Sequence, residues 1–415
     1  MGMYSFVMGK VPYIGSPGSH IYGINGHDAN DPSSGLAAGF TVMPFAGVCK
    51  GLRGVLDSNA ATLSTDYTFT VYKNAVATTV TCSVGVGDFH ASDTSHQFSF
   101  TAGDYLSLQG LKVPTETNSM LWNVIVESDT RNNSYIGGSA TFLNTADTRY
   151  YAFCGQGANL GRSSTEANVS IRMANTGTLK NLVVRLNEAP GASKSYTFTV
   201  YKNGAPTALT GSITGASDLL LTVNATVSIS VDDTLSLEIV PSGTPTGNDA
   251  SWACTYSPTV DGEMTFGVVH NSPSSVATNN AAMDTYVNDW TGGVLNIQRQ
   301  AFLTPTFTLK SFHNFLATAP GSGNTRQFIT VGTDANVVQC TISDAETSCS
   351  YTTPYAITDA DYVSKIGTLR TTPASTPDAT ALTKHTYVFF KQPRTRPGFF
   401  NFFEPSGGNN RELCN

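Results

Sequence analysis

Asp104, Asp233 and Asp361 stand at matching places along the chain, in Gly103-Asp104-Tyr105, Asp232-Asp233-Thr234 and Ala360-Asp361-Tyr362. A carboxylate that recurs at one position is a natural candidate for general acid–base chemistry or for a metal site. Each of these, however, falls in a short connection between two runs of alternating apolar residues. There an Asp side chain accepts hydrogen bonds from neighbouring backbone N–H groups, so a structural role in a turn is expected.

Other constellations are weaker. Gly87-Asp-Phe-His-Ala-Ser-Asp93 places Asp88, His90 and Asp93 in one stretch from which metal ligands could come, but a polar loop of the first module is the preferred reading. Asp28, Asn30 and Asp31 in His27-Asp-Ala-Asn-Asp-Pro32 resemble a calcium loop without the ligand spacing or the closing Glu of an EF-hand. Gly155-Gln-Gly-Ala-Asn-Leu-Gly161 has the wrong spacing for a dinucleotide fingerprint and no βαβ unit around it. There is no Gly-x-Ser-x-Gly, His-Glu-x-x-His or Walker sequence. No glutamate occupies the same place in two copies of the repeat described below, so a glycosidase pair is not indicated. The sequence assigns no catalytic residue, no metal ligand and no cofactor, and the chain is not expected to be an enzyme.

Composition narrows the partners. Only 13% of residues are charged and 40% are apolar, which suits the polar but neutral surface of β-rich extracellular or particle-forming proteins. A net charge of -7 without a clustered Lys/Arg face argues against nucleic acid as a partner. The first ten residues lack the basic segment and apolar core of a secretory leader, and no apolar run of about 18 residues occurs. Synthesis in the cytoplasm and no membrane insertion are expected. Seven cysteines, none in a Cys-x-x-Cys pair, are expected to be mostly reduced and buried. Cys340 and Cys349 are expected to be separate thiols, with a disulfide across a hairpin as the alternative.

The elements that carry these residues form a repeat. Tyr67-Thr-Phe-Thr-Val-Tyr-Lys-Asn74 recurs letter for letter as Tyr196-Thr-Phe-Thr-Val-Tyr-Lys-Asn203, 129 residues later. An offset of 130 pairs Trp122 with Trp252 and Lys50 with Lys180. A more diverged third copy matches Leu309-Lys310 to Leu179-Lys180, Ala319-Pro-Gly-Ser322 to Ala189-Pro-Gly-Ala192 and Phe328 to Phe198. That copy lacks the Tyr-Lys-Asn turn and the closing Trp, ending instead on Tyr387-Val-Phe-Phe390. Tyr196, Phe198 and Val200 alternate with polar residues at the period of a half-buried strand, and Asn203-Gly204 supplies a hairpin turn.

The expected fold class is all-β: three tandem antiparallel β-sandwich, jelly-roll-like domains plus an extended C-terminal arm. The domains span 1–135, 136–260 and 261–392, with the arm at 393–415. Boundaries are placed in the polar stretches 131–141 and 257–263. Trp122, Trp252, Phe198 and Phe328 are the expected core residues. In the arm, Phe399, Phe400, Phe402 and Phe403 are candidate assembly contacts. They either insert into a neighbouring subunit, the preferred reading, or pack back on the third module. Burying one Phe is worth roughly 2 to 3 kcal/mol, so four could anchor a subunit.

The second copy carries Gly177-Thr-Leu-Lys-Asn-Leu182, Ala189-Pro-Gly-Ala192, Tyr196-Thr-Phe-Thr-Val-Tyr-Lys-Asn-Gly204, Asp232-Asp-Thr-Leu-Ser-Leu237 and Pro241-Ser-Gly-Thr-Pro245. This pattern resembles β-sandwich modules in structural proteins of tailed bacteriophages. It covers all of copy two, most of copy one and part of copy three. Copy one departs at Ala75, where copy two has Gly204. The resemblance implies a virion protein, assembled in the host cytoplasm, that decorates or stabilises a capsid or forms an appendage of head-fibre or tail-fibre type. Its expected partners are other virion proteins and further copies of itself. The rival readings are an adhesin that binds host-surface glycan and, last, a polysaccharide depolymerase.

Overall fold

The computed structural model describes residues 4–11, 18–25, 39–56, 66–88, 90–112, 120–156, 162–270, 279–282, 291–292, 307–330, 338–357, 368–373 and 383–390. The fold is all-β, in three antiparallel sandwiches.

The first module contains β1 (Tyr4–Val11), β2 (Gly18–Gly23), β3 (Thr41–Val42), β4 (Gly47–Leu56), β5 (Tyr67–Lys73), β6 (Val76–Val84), β7 (His90–Phe100), β8 (Tyr105–Lys112) and β9 (Met120–Ser128). The second contains β10 (Ser134–Ala140), β11 (Arg149–Ala152), β12 (Gly155–Gln156), β13 (Arg162–Ser163), β14 (Ile171–Arg172), β15 (Gly177–Leu186), β16 (Ser195–Lys202), β17 (Ala205–Thr214), β18 (Leu220–Ile229), β19 (Thr234–Ser242) and β20 (Ala250–Pro258). The third contains β21 (Glu263–His270), β22 (Asn279–Ala282), β23 (Thr291–Gly292), β24 (Phe307–Leu316), β25 (Thr325–Thr330), β26 (Val338–Ser343), β27 (Ser348–Tyr351), β28 (Tyr355–Ile357), β29 (Thr368–Pro373) and β30 (Thr383–Phe390).

One strand order serves all three. The sheets run β1-β9-β4-β7 and β2-β8-β5-β6, then β10-β20-β15-β18 and β11-β19-β16-β17, then β21-β30-β24-β27 and β22-β29-β25-β26. In each module the first strand lies beside the last, and along the eight strands of these orders the chain changes sheets at every step but one, the hairpin β5–β6 and its counterparts β16–β17 and β25–β26, which is the jelly-roll connection. Tyr67, Phe69 and Val71 on β5 are buried, as are Tyr196, Phe198 and Val200 on β16. These side chains point inward because a strand turns every second residue to one face.

Trp122 and Trp252 are both buried, and their indole N–H groups donate to the carbonyls of Ile24 and Phe153, each at 2.9 Å. Trp122 stands opposite Gly54 and Trp252 opposite Val184, while at the same register of the third module His385 stands opposite Asn314. Phe198 and Phe328 are fully buried.

Two expectations need correction. Ser134–Ala140, placed in a boundary stretch by its Gly and Ser content, is the first strand of the second module, and every one of its residues is buried. Gly137 and Gly138 serve close packing there: a Cβ on Gly137 would meet the carbonyl oxygen of Trp252 at 2.3 Å. Cys340 and Cys349, expected as separate thiols, are joined by a disulfide. They meet because β26 and β27 are consecutive strands in different sheets, so the bond ties the two sheets of the third module together. The C-terminal arm, with Phe399, Phe400, Phe402 and Phe403, lies outside the described residues.

Candidate functional site

The identical octapeptides end in a clamp. Asn74 donates through Nδ2 to Asp104 Oδ1 at 2.7 Å and accepts through Oδ1 from the Tyr105 N–H at 3.0 Å. Asp104 Oδ2 accepts from the Thr101 N–H at 2.8 Å, and Lys73 lies 3.5 Å away. The second module repeats every part. Asn203 donates to Asp233 at 2.6 Å and accepts from the Thr234 N–H at 2.8 Å, Asp233 accepts from the Ser230 N–H at 2.7 Å, and Lys202 lies 2.9 Å away. Burial alone would raise these carboxyl pKa values. Hydrogen bonds from the Asn side chain and a backbone N–H, with the nearby Lys charge, outweigh it and hold both below the usual carboxylate range. Lys, Asn and Asp thus staple the β5–β6 turn to the β7–β8 turn, which accounts for their retention at one spacing. Asp361 lies outside the described residues.

The turn itself shows a cost in copy one. Asn203 and Gly204 take φ values of 54° and 76°, and Asn74 and Ala75 take 48° and 65°. Ala75 therefore occupies a left-handed conformation that glycine adopts without steric penalty.

Asp93 lies on a strand, not in the loop expected for it. It is buried on β7 beside the register shift opposite Lys50 and Leu52. Burial would raise its pKa, but N–H groups of His96, Ser95 and Thr81 and the Ser95 hydroxyl overcome this and lower it to about 2. The His96 ring nitrogen lies 3.0 Å from the same carboxylate. His90 and Asp88 are exposed, and among the described residues no group of three metal-ligating side chains converges. Asp28, Asn30 and Asp31 fall outside the described residues, as do 157–161.

The clamped turns sit where one module meets the next, and the same pair of surfaces is used twice. At the first junction β3 packs on β15 and β20; at the second, β14 packs on β21 and β30. The chemistry differs. Phe45 and Tyr135 are buried in one apolar cluster that also takes Val183 and Ala253, so the core of the first module continues into the second. The Val42 N–H donates to Ser251 Oγ at 3.1 Å, and the Tyr135 N–H to Ser5 Oγ at 2.8 Å. At the second junction the counterparts of Phe45 and Tyr135, 130 residues on, are Asn175 and Thr265. Thr265 donates to Asn175 Oδ1 at 2.6 Å, and Asn175 donates to Glu263 at 3.0 Å, with Lys310 paired to the same carboxylate.

A cation over an aromatic ring appears at both junctions with the roles exchanged. Arg185 of the second module lies 4.4 Å above the ring of Tyr105 of the first. Phe315, the counterpart of Arg185, receives Arg172 of the second module at 4.8 Å. These junction residues escaped sequence reasoning. The available signal was chemical contrast between aligned copies, such as Tyr105 against Thr234 or Phe45 against Asn175, at positions in otherwise similar frames.

No family model matches the chain, and no curated protein matches it. Solved structures do match. One is described as the triple jelly roll fold and turret assembly in an archaeal virus; it is 13% identical over 93% of this chain and 90% of that chain, with a TM-score of 0.20, too low to carry an argument about fold or function.

Proposed function

We propose that the chain is a structural virion protein, assembled in the host cytoplasm, that decorates or stabilises a bacteriophage capsid or forms a surface appendage. The observation that carries this reading is the repeated junction: one pair of surfaces joins module to module twice, each time with buried side chains. Such contacts make a stiff three-module unit rather than beads on a linker. The resemblance of the second copy to tailed-phage modules supports the same reading, and so does the expenditure of the recurring Asp104 and Asp233 on turn clamps rather than on chemistry. The chain acts by binding other virion proteins and further copies of itself, not as an enzyme.

In this proposal the Phe-rich arm anchors the unit to its neighbours. Removing residues 394–415 should leave a folded protein that no longer enters particles. Undiminished incorporation of the truncated chain would overturn the role of the arm.

A further inference from the structure

The two junctions differ in the side chains that stand between the modules. At the first, Phe40 is fully buried and meets Tyr105 edge-on at 5.8 Å, and Tyr105 in turn carries Arg185, so aromatic rings fill the space between the modules. The backbone frame is the same at the second junction: β3 pairs Val42 with Tyr105, and β14 pairs Arg172 with Thr234. There, however, Ser170 stands for Phe40 and Thr234 for Tyr105. Two rings have become two small hydroxyl side chains, and a cleft of about 550 Å³ opens between the second and third modules. That size lies in the range of small-molecule sites.

Its walls are mixed. Ser170, Thr234 and Asn203 bring hydroxyl and amide groups, Glu166 brings a carboxylate, Arg172 a guanidinium, and Phe315 an apolar wall. Glu166 accepts from the Ser236 hydroxyl at 2.9 Å through Oε1, which leaves Oε2 on the side of Gly204. The Arg172 side chain is 43% exposed and lies 3.9 Å from the Asp232 carboxylate. One cation and one carboxylate among the lining side chains make a poor site for phosphate, which asks for several donors of positive charge. A ligand with many hydroxyls and apolar C–H faces fits donors, acceptors and an aromatic wall together.

We propose that the cleft between the second and third modules binds a short oligosaccharide, a function separate from the virion role and independent of it. The full chain is tested by saturation-transfer NMR against maltotriose, lactose, chitotriose and 3′-sialyllactose. At least one is expected to take up saturation from the wild type. The double substitution Ser170→Phe with Thr234→Tyr restores the rings of the first junction and should abolish that signal while the melting curve is kept. Should that variant misfold, Glu166→Gln decides, because losing one charged acceptor should weaken binding roughly tenfold. No signal from any of the four sugars overturns the proposal, and so does a signal that the folded variants leave unchanged.

Discussion

Arg131 pairs with the carboxylate of Asp261, its counterpart 130 residues later in the next connection between modules. Ser5 and Tyr135 are counterparts in the same sense and are also in contact. A residue can touch its own counterpart only near the axis of the rotation that relates the two modules, so these contacts mark where that axis passes. The surfaces joined are different on the two sides of each junction, which makes the contact head-to-tail. The Arg131 side chain is 73% exposed. Exposed ion pairs contribute about 0 to 1 kcal/mol, so Arg131→Ala should leave the melting temperature nearly unchanged. A large loss would mean that the pair holds the junction as well as marking it.

The interior of the first junction should behave otherwise. Phe45 is buried in the cluster shared by both modules, and truncation of a buried Phe costs about 3 to 5 kcal/mol. Phe45→Ala should destabilise the first two modules together, and limited proteolysis should then cut between them. At the second junction Glu263→Ala would leave Asn175 and Lys310 without their shared acceptor, for a smaller loss of roughly 1 to 3 kcal/mol.

The hairpin turns allow a test in opposite directions. Ala75→Gly should stabilise the first module by about 0.5 to 1 kcal/mol, because φ of 65° is strained for alanine. Gly204→Ala, at φ of 76°, should destabilise the second by a similar amount. Chemical denaturation of the two variants measures both.

Acid should loosen the first two modules. Asp93, with a folded pKa of about 2, stabilises the fold fully above its unfolded value near 3.8, and that contribution disappears as the pH falls through 2. The lowered Asp104 and Asp233 act in the same direction. Asp93→Asn should cost about 2 kcal/mol at neutral pH and flatten the loss of melting temperature between pH 4 and 2. An unchanged acid profile would count against the network at Asp93.

Reduction should act on one module. The Cys340–Cys349 bond closes a short loop, for which the chain-entropy estimate is roughly 2 to 3 kcal/mol. A reductant should lower the transition of the third module and spare the others, since Cys49, Cys82, Cys154 and Cys254 are buried thiols. Burial pushes the Cys82 thiol up to about 12 and raises the others as well, so alkylation of these four should require unfolding.

What was legible in the sequence was local. The octapeptide Tyr67 to Asn74 and its copy, the Asn-Gly turn and the Asp-containing connections, whose carboxylates accept from backbone N–H groups three residues away, are short patterns that the structure uses as strands and turns; the Asn–Asp bonds that staple one turn to the other were not visible in them. What was not legible joins distant segments. Pairing of β1 with β9 spans more than a hundred residues, and no short pattern encodes it. Asp93 looked like a loop residue because its polar neighbours hide a strand whose outward face meets solvent. Ser134–Ala140 falls in the stretch read as a boundary because close packing against Trp252 selects small residues, which are also the residues of turns. The cysteines read as separate thiols because their spacing gives no sign of a bond, and only the placement of β26 and β27 in separate sheets brings the two sulfurs together.

The most direct measurement is cryo-electron imaging of purified particles at a resolution that shows sheets. We expect the chain at a fixed stoichiometry on the particle, its jelly rolls joined as β3 joins β15 and β20, in contact with neighbouring subunits. Particles that lack the chain, or that hold its modules apart as separate beads, would contradict a structural role for a stiff three-module unit.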